Sequence, residues 1–310
     1  MPDAVDLSVN VGALRLSNPI LAASGTFGYG LEFAHLVDLN RLGGIVVKGL
    51  SLEPIAGAAA PRLCVTPSGM LNAVGLQNVG VRAFVAEKLP ELRKYKTAVI
   101  ANIFGYNVDE YVGVIRVLEE AEGLAAYELN ISCPNTSHGG IQFGSDPLMV
   151  SEVVAAARRA SAHLPLWVKL SPNVTDIGIV ARAAEEAGAD ALTVADTYQG
   201  MSIDIETRRS RLGRVTGGLS GPAIKPISLR LVYETRRAVR IPVIGLGGIE
   251  KGEDVLEYMI VGSSAVQVGT ANFAGPGACI DILNQLQRSC ITFKINKISS
   301  ITGSIQTDLP

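Results

Sequence analysis

The sequence of 310 residues contains only four cysteines, and their positions exclude several kinds of site. Cys64, Cys133, Cys279 and Cys290 form no C-x-x-C pair and follow no regular spacing. Protein zinc sites and iron–sulfur clusters are usually built from cysteines at such close spacings, so we expect neither in this chain and no metal. A disulfide framework is not expected either, because such scaffolds are small and much denser in cysteine.

Long hydrophobic runs and a strong net charge are also missing. No apolar run reaches the roughly 18 residues that a membrane span needs, and the first residues lack the layout of a secretory signal. The formal net charge is −2 and the pI is about 6.0, which provides no basic footprint for nucleic acid or anionic lipid. We therefore expect a cytoplasmic protein that binds neither nucleic acid nor a membrane.

The glycine fingerprint of dinucleotide-binding proteins is absent as well. No G-x-G-x-x-G motif follows a predicted strand, because the glycine clusters at 25–30 and 245–248 have other spacings. This absence disfavours a doubly wound parallel sheet, which remains the alternative fold.

Eight short apolar runs alternate with longer helical patterns along the chain. Near-continuous apolar runs are typical of parallel strands that are buried on both faces. The predicted strands are residues 19–23, 44–47, 98–101, 126–129, 166–168, 191–194, 241–244 and 265–268, and the predicted helices include 108–121, 147–163, 176–187, 224–239, 251–260 and a last one around 298–305. Eight β-α units in roughly 250 residues predict an α/β protein with a single (β/α)8 TIM barrel.

Two long segments interrupt the regular alternation of strands and helices. Residues 50–80 follow the second predicted strand and residues 196–221 follow the sixth. Both are rich in Gly, Pro, Ser and Thr, and long loops of this kind at the catalytic face usually form walls or lids. No linker divides the chain, so we expect one catalytic domain over residues 1–310.

Polar residues stand at the ends of five predicted strands. They are Lys48, Asn102, Asn130, Lys169 and Asp196. In a barrel these positions ring one mouth, and lysines so close to the core need an anionic or electron-rich partner. A single strand-end residue can simply cap a turn, but five such residues predict a shared ligand pocket.

Glycine-rich turns follow the last two predicted strands. Gly247-Gly248 and Gly269-Thr270 stand just before predicted helical segments, where backbone amides of TIM barrels commonly hold a phosphate. Glycines are also needed in ordinary tight turns. Their occurrence after both strands, opposite two lysines, predicts a phosphorylated cofactor or substrate.

A cysteine follows the fourth predicted strand. Pro134 cannot extend a strand, so Cys133 is expected on a loop just beyond the strand end, beside Asn130 and Asn135. A lone cysteine is more often a small buried hydrophobic residue. The flanking asparagines and the glycine-rich loop that follows favour a reactive thiol.

The chain also resembles a known family over nearly its whole length, the dihydroorotate dehydrogenases, and within them the class 1B catalytic subunits of pyrimidine biosynthesis. The resemblance is carried by ASGTFG at 23–28, VKGLS at 47–51, NAVGLQN at 72–78, NISCPN at 130–135, TGGLSGP at 216–222 and GGI at 247–249. Together these motifs are highly specific.

The resemblance implies FMN at the barrel mouth, with its phosphate near Gly248 and Gly269 and its pyrimidine edge beside Lys169. The full set of implied cofactor-binding residues is Ala23, Ser24, Gly25, Lys48, Asn102, Asn130, Lys169, Val194, Ser220, Gly221, Gly247, Gly248, Gly269 and Thr270.

The implied reaction is the oxidation of dihydroorotate to orotate, with a hydride passing to the flavin and a proton to Cys133 as general base. A thiol serves as a base only if nearby positive charge brings its pKa below about 8.5, and Lys48 is the candidate for that charge. The implied substrate-binding residues are Lys48, Asn72, Asn130, Asn135, Asp196 and Thr197.

Class 1B membership implies partners as well: a homodimer core and a second polypeptide that carries FAD and a [2Fe–2S] cluster and passes electrons to NAD. Alternatives are a related flavin-dependent dihydropyrimidine oxidoreductase and a non-redox phosphate-binding barrel.

One departure stands out, because the family typically has Asn-Thr where this chain has Asp196-Thr197. Either the site has adjusted to this acid or the substrate differs from dihydroorotate.

Overall fold

The fold was analysed in a computed structural model, which describes residues 5–132 and 143–307. Eight parallel strands close into a barrel in which each strand pairs with the next along the chain and the eighth with the first. The strands are β1 (Ile20–Ala22), β2 (Gly44–Val46), β3 (Ala98–Ile103), β4 (Ala126–Asn130), β5 (Leu166–Lys169), β6 (Ala191–Val194), β7 (Val243–Leu246) and β8 (Ser263–Val268). All eight predicted strands and the TIM barrel are confirmed, and the closed barrel rules out the doubly wound alternative.

Helices lie between the barrel strands. The α-helices are Val81–Ala83, Leu89–Leu92, Val108–Glu119, Pro147–Ala160, Ile177–Glu186, Lys225–Ala238, Gly252–Val261, Ala271–Ala274 and Ala278–Thr292, and a π-helical turn spans Phe84–Lys88. Short 3₁₀ turns occur at Leu31–Phe33, Leu39–Arg41, Phe143–Ser145, Pro222–Ile224 and Ile298–Ile301. The last of these shows that the helix expected around 298–305 is a single turn, which ends before Gly303, a residue with a φ of +71°.

Side-chain caps explain where several helices begin. Asn107 accepts a hydrogen bond from the amide of Glu110, and Asp146 from that of Leu148 just before Pro147. Asp176 caps its helix by accepting from Gly178. A side-chain oxygen at this position satisfies amides that have no partner in the first turn, and proline is well tolerated at the first helical residue.

The two insertions form a four-stranded antiparallel sheet beside the barrel. Leu63–Thr66 and Gly69–Asn72 come from the first insertion, and Tyr198–Gly200 and Gly217–Ser220 from the second. The insertions meet where Gly69–Asn72 pairs with Gly217–Ser220. A small separate core of Leu71, Ala73 and Leu212 packs beneath this sheet. Two further strand pairs, Val9–Val11 with Leu14–Leu16 and Ile203–Asp204 with Arg209–Ser210, complete the strands of the described residues.

One continuous hydrophobic core fills the space between barrel and helices. Its largest fully buried side chains are aromatic and include Trp167, Tyr111, Tyr127 and Tyr258. Polar side chains are also buried inside the barrel, and Glu128 of β4, Thr193 of β6 and Gln267 of β8 are all completely inaccessible to solvent. These residues come from alternate strands, as expected for one interior layer of a TIM barrel.

No helix within residues 5–132 and 143–307 is long and apolar enough to cross a bilayer.

Candidate active site

A cavity of about 670 Å³ opens at the carboxyl ends of the barrel strands, bordered on one side by the sheet of the two insertions. Its wall contains most of the residues predicted from the sequence: Ala23, Ser24, Gly25, Lys48, Asn72, Asn102, Asn130, Lys169, Asp196, Thr197, Ser220, Gly247, Gly248, Gly269 and Thr270. The structure therefore brings the strand-end polar residues and the glycine turns together around one space.

Of the predicted site residues that the structure describes, two do not appear on this wall. Val194 is fully buried inside β6, and the next residue, Ala195, lines the cavity in its place. Gly221 lies behind the wall, where its carbonyl oxygen approaches Gly248. Cys133 and Asn135 lie outside the described residues.

A buried hydrogen-bond network supports the floor of the cavity. Glu128 accepts hydrogen bonds from Asn102 Nδ2 at 2.8 Å, from Thr193 Oγ1 at 2.6 Å and from Gln267 Nε2 at 2.5 Å. A carboxylate inside a barrel is tolerated when donors surround it in this way. Because the amide nitrogen of Asn102 is committed to Glu128, its oxygen is left as the group available to a ligand. That oxygen is buried and has no hydrogen-bond partner among the described residues.

An ion pair lies on the wall between β5 and β6. Lys169 Nζ is 3.3 Å from Asp196 Oδ2, and the two side chains are 6% and 19% exposed. Ser132 Oγ lies 2.5 Å from the same carboxylate oxygen, and the amide of Thr197 donates to the other at 2.7 Å. Burial by itself raises the pKa of Asp196, but the charge of Lys169 and these hydrogen bonds outweigh it, so that the pKa lies below its usual range. Asp196 is therefore an ionised, paired acid.

The glycine turns after β7 and β8 form a narrow cradle in the opposite wall. Gly248 has a φ of +67°, and a Cβ there would lie 2.8 Å from the Cβ of Lys225 and 2.9 Å from the carbonyl oxygen of Gly221. A Cβ on Gly269 would be in ordinary van der Waals contact with the Cβ of Ala23, at 3.7 Å, so a small side chain there would cause no clash. Thr270 donates to Ser220 Oγ at 2.8 Å and ties the β8 end to the insertion sheet.

The second lysine, Lys48, follows β2 on the same wall. It is half-buried, and its Nζ lies 3.5 Å from where a Cβ on Gly25 would be. A Cβ at position 25 would therefore be in van der Waals contact with the ammonium group, and a longer side chain would crowd it. Glycine at this position leaves Lys48 accessible from the cavity.

Several lining residues were not predicted from the sequence, among them Tyr106, Ser132, Asn173 and Arg214. Asn173 follows β5, and the same strand-end argument that indicated Lys169 indicates it too. Its side chain donates to the carbonyl of Thr197 at 3.1 Å and accepts from the amide of Gln199 at 3.0 Å, which fastens the second insertion to the barrel. Arg214 lies in the middle of that insertion, where no sequence pattern singles it out.

A closed parallel barrel with a polar cavity at the carboxyl ends of its strands defines this protein as a TIM-barrel enzyme. Comparison with protein families gives a more specific result, because the model of the dihydroorotate dehydrogenase family matches residues 6–290. The chain belongs to the dihydroorotate dehydrogenase family, as its motifs predicted.

Individual relatives agree with this membership. A protein of Solibacter usitatus, provisionally named dihydroorotate dehydrogenase A (fumarate), is 57% identical over 300 residues, which cover 97% of this chain and 98% of the relative. The catalytic subunit of dihydroorotate dehydrogenase B (NAD(+)) of Trichlorobacter lovleyi is 53% identical over 300 residues, with 97% and 98% coverage. That of Solidesulfovibrio magneticus is 52% identical over 303 residues, with 98% and 99% coverage.

Proposed function

We propose that this chain is a single FMN-binding catalytic domain that oxidises dihydroorotate to orotate. The observation that carries the proposal is one cavity whose wall combines two lysines and four asparagines with glycine-rich turns. Such an arrangement suits a phosphorylated planar cofactor stacked against a small anionic ring. Membership of the dihydroorotate dehydrogenase family supports that substrate.

The residues present fit FMN at two independent points. The buried oxygen of Asn102 has no hydrogen-bond partner among the described residues, and an N–H of a bound ring system would satisfy it. Gly247, Gly248, Gly269 and Thr270 line the same cavity, where their backbone amides would hold a phosphate. When bound, FMN supplies the hydride acceptor of the reaction. Lys169 then lies at the cofactor's edge and offers positive charge to it.

Substrate is held on the other side of the cofactor. We assign the substrate carboxylate to Lys48 and the ring to the amides of Asn72 and Asn130, with Thr197 nearby. Asn72 already donates to the carbonyl of Gly218 at 3.2 Å, which orients its side chain within the insertion sheet. Asp196 does not confront the substrate as an isolated negative charge, because Lys169 is its counter-ion. This pairing supports adjustment of the site over a change of substrate.

Proton removal is assigned to Cys133, the thiol within the NISCPN motif. Its base function needs a lowered pKa, and the ammonium of Lys48 is the source of positive charge that we propose. Asn135 completes the proposed substrate contacts from the same loop.

In this proposal, the electrons taken from dihydroorotate pass from the flavin to a partner subunit. Relatives named as catalytic subunits of an NAD(+)-linked enzyme support a second subunit, to which we assign FAD and a [2Fe–2S] cluster, and we propose a homodimer as the core. Exposed apolar side chains on the two insertions, including Val65 and Ile205, support an interface there. The fumarate-linked name of the Solibacter usitatus relative favours a second candidate, direct reduction of fumarate by this chain.

The experiment that tests the proposal is an absorption spectrum of the purified chain, followed by anaerobic titration. We expect a flavin spectrum that bleaches with dihydroorotate and not with dihydrouracil, which lacks the carboxylate. Bleaching by dihydrouracil alone would indicate a different pyrimidine substrate, and a colourless protein that takes up no FMN would refute the proposal. Reoxidation by fumarate, by NAD or only by artificial dyes then separates the two candidate acceptors.

A further inference from the structure

The lysine proposed to offer charge to the cofactor, Lys169, forms an ion pair with Asp196, an acid just beyond the end of the adjacent strand β6. The side chain of Lys169 is almost fully buried and that of Asp196 is mostly buried. Lys169 Nζ and Asp196 Oδ2 are 3.3 Å apart. Interactions between charges are stronger in such surroundings than in bulk water, because less solvent screens them. The pair is therefore an electrostatic feature of the cavity and more than a surface contact.

The position of Asp196 is fixed from several directions. One carboxylate oxygen contacts Ser132 Oγ at 2.5 Å, and the other accepts from the amide of Thr197 at 2.7 Å. Strand pairing adds a further constraint, since Lys169 stands opposite Thr193 in the register of β5 with β6. The acid thus cannot turn away from Lys169 without losing several hydrogen bonds.

We infer that Asp196 is a positioning residue that acts through Lys169 and lowers the reduction potential of the bound flavin. This inference rests on the proposed function, because it concerns the cofactor proposed there. Reduction of a flavin adds negative charge, which a lysine at its edge stabilises. A neighbouring carboxylate offsets part of that stabilisation and keeps the flavin harder to reduce.

The size of the effect is an order-of-magnitude expectation. In a mostly buried site, removal of one negative charge near a bound flavin would change the ratio of reduced to oxidised flavin by roughly tenfold. For a two-electron couple, a tenfold shift is about 30 mV.

The test is a comparison of flavin midpoint potentials in the purified holoenzyme, measured by anaerobic equilibration with a reference dye. Asp196→Asn removes the charge and keeps the shape, and we expect its potential to be about 30 mV higher than that of the wild type. Asp204→Asn is the matched control, since Asp204 belongs to the same insertion but does not line the cavity. Its potential should equal that of the wild type. Equal potentials in wild type and Asp196→Asn would overturn the inference.

A second measurement needs no flavin, so that it decides the matter even if Asp196→Asn loses the cofactor. Competitive acetylation of the apoprotein, read by mass spectrometry, reports how much neutral amine each lysine offers. Lys225 is the internal reference, because its ion pairs with Asp254 at 2.7 Å and Glu257 at 3.0 Å are unaffected by the substitution. We expect labelling of Lys169 relative to Lys225 to rise several-fold in Asp196→Asn, and an unchanged ratio would overturn the inference. A wild-type chain that never binds flavin would count against the proposed function instead.

Discussion

The side-chain amide of Asn102 donates a 2.8 Å hydrogen bond to Glu128, and this bond determines which end of the amide faces the cavity. A carboxylate accepts and does not donate, so the nitrogen of Asn102 faces Glu128 and its oxygen lies on the side of Gly49, another residue of the cavity wall. Glu128 is thus linked to the chemistry of the cavity although it does not line it.

Glu128→Gln should disturb both stability and flavin binding. The new amide places an NH2 group among three donors, so at least one buried hydrogen bond is lost or Asn102 turns over. We expect a decrease of about 1–3 kcal/mol in the free energy of unfolding, measured with urea on the apoprotein, and weaker binding of FMN, measured by fluorescence titration. Glu206→Gln, on an exposed loop, is the control. Wild-type stability and affinity in Glu128→Gln would show that the network does not orient Asn102.

Cys133→Ala tests the proposed base. The variant should retain bound flavin, while flavin reduction by dihydroorotate slows by about a hundredfold or more, because proton abstraction loses its acceptor. Stopped-flow absorbance measures this rate directly. Cys64→Ala, in the outer strand Leu63–Thr66 of the insertion sheet, should behave as the wild type. Undiminished reduction in Cys133→Ala would assign proton removal to another group.

Gly269→Ala tests the proposed phosphate cradle without disturbing the fold. The added methyl group would lie 3.7 Å from the Cβ of Ala23, an ordinary contact, but it would stand beside the backbone amides that we propose hold the phosphate. FMN affinity should therefore fall about tenfold or more while the melting temperature of the apoprotein stays the same. Gly277→Ala is a matched control, since its nearest neighbour lies at 3.8 Å and it does not line the cavity. Equal FMN affinities in the two variants would show that the phosphate does not bind beside Gly269.

The Asp196 ion pair predicts a pH dependence of stability. The pKa of Asp196 is lower in the folded protein than its ordinary value of 3.8. The contribution of ionised Asp196 to the free energy of unfolding is therefore complete above about pH 4. It is lost as the pH falls through the folded-state pKa. Unfolding free energies of wild type and Asp196→Asn should differ by a constant amount from pH 7 to 5 and converge below pH 4. A difference that instead grows toward low pH would contradict the ionised pair.

Asn173→Ala should loosen the second insertion. The substitution removes the two hydrogen bonds that fasten residues 197 and 199 to the β5 end. Loss of about 1 kcal/mol of local stability corresponds to a roughly fivefold increase in the open population, and limited proteolysis between residues 197 and 217 should accelerate accordingly. Asn284→Ala, which removes a bond to Arg41 far along the chain, should not change cleavage of this segment. Equal cleavage rates would locate the anchor of the insertion elsewhere.

The strands and helices were predictable because their signals are local. Apolar runs identify parallel strands, and Asp146 and Asp176 mark helix starts by chemistry within four residues. The ring of strand-end residues was predictable too, since a barrel brings equivalent strand positions together. The partner of Lys169 was not, because it depends on the register of β5 with β6 and on the turn that follows. The orientation of Asn102 likewise depends on Glu128, which is 26 positions away. In the sequence, Glu128 is a single charged residue within an apolar run, and nothing there links it to Asn102.

The pairing of Gly69–Asn72 with Gly217–Ser220 joins two insertions that are 146 residues apart at Asn72 and Gly218. Each strand supplies part of one shared surface. A substitution on one strand must therefore remain compatible with the other strand. The two insertions therefore form one structural unit. Exchanging a single insertion between relatives should be tolerated poorly, whereas the pair can be transplanted together and carry the shape of the cavity wall with it.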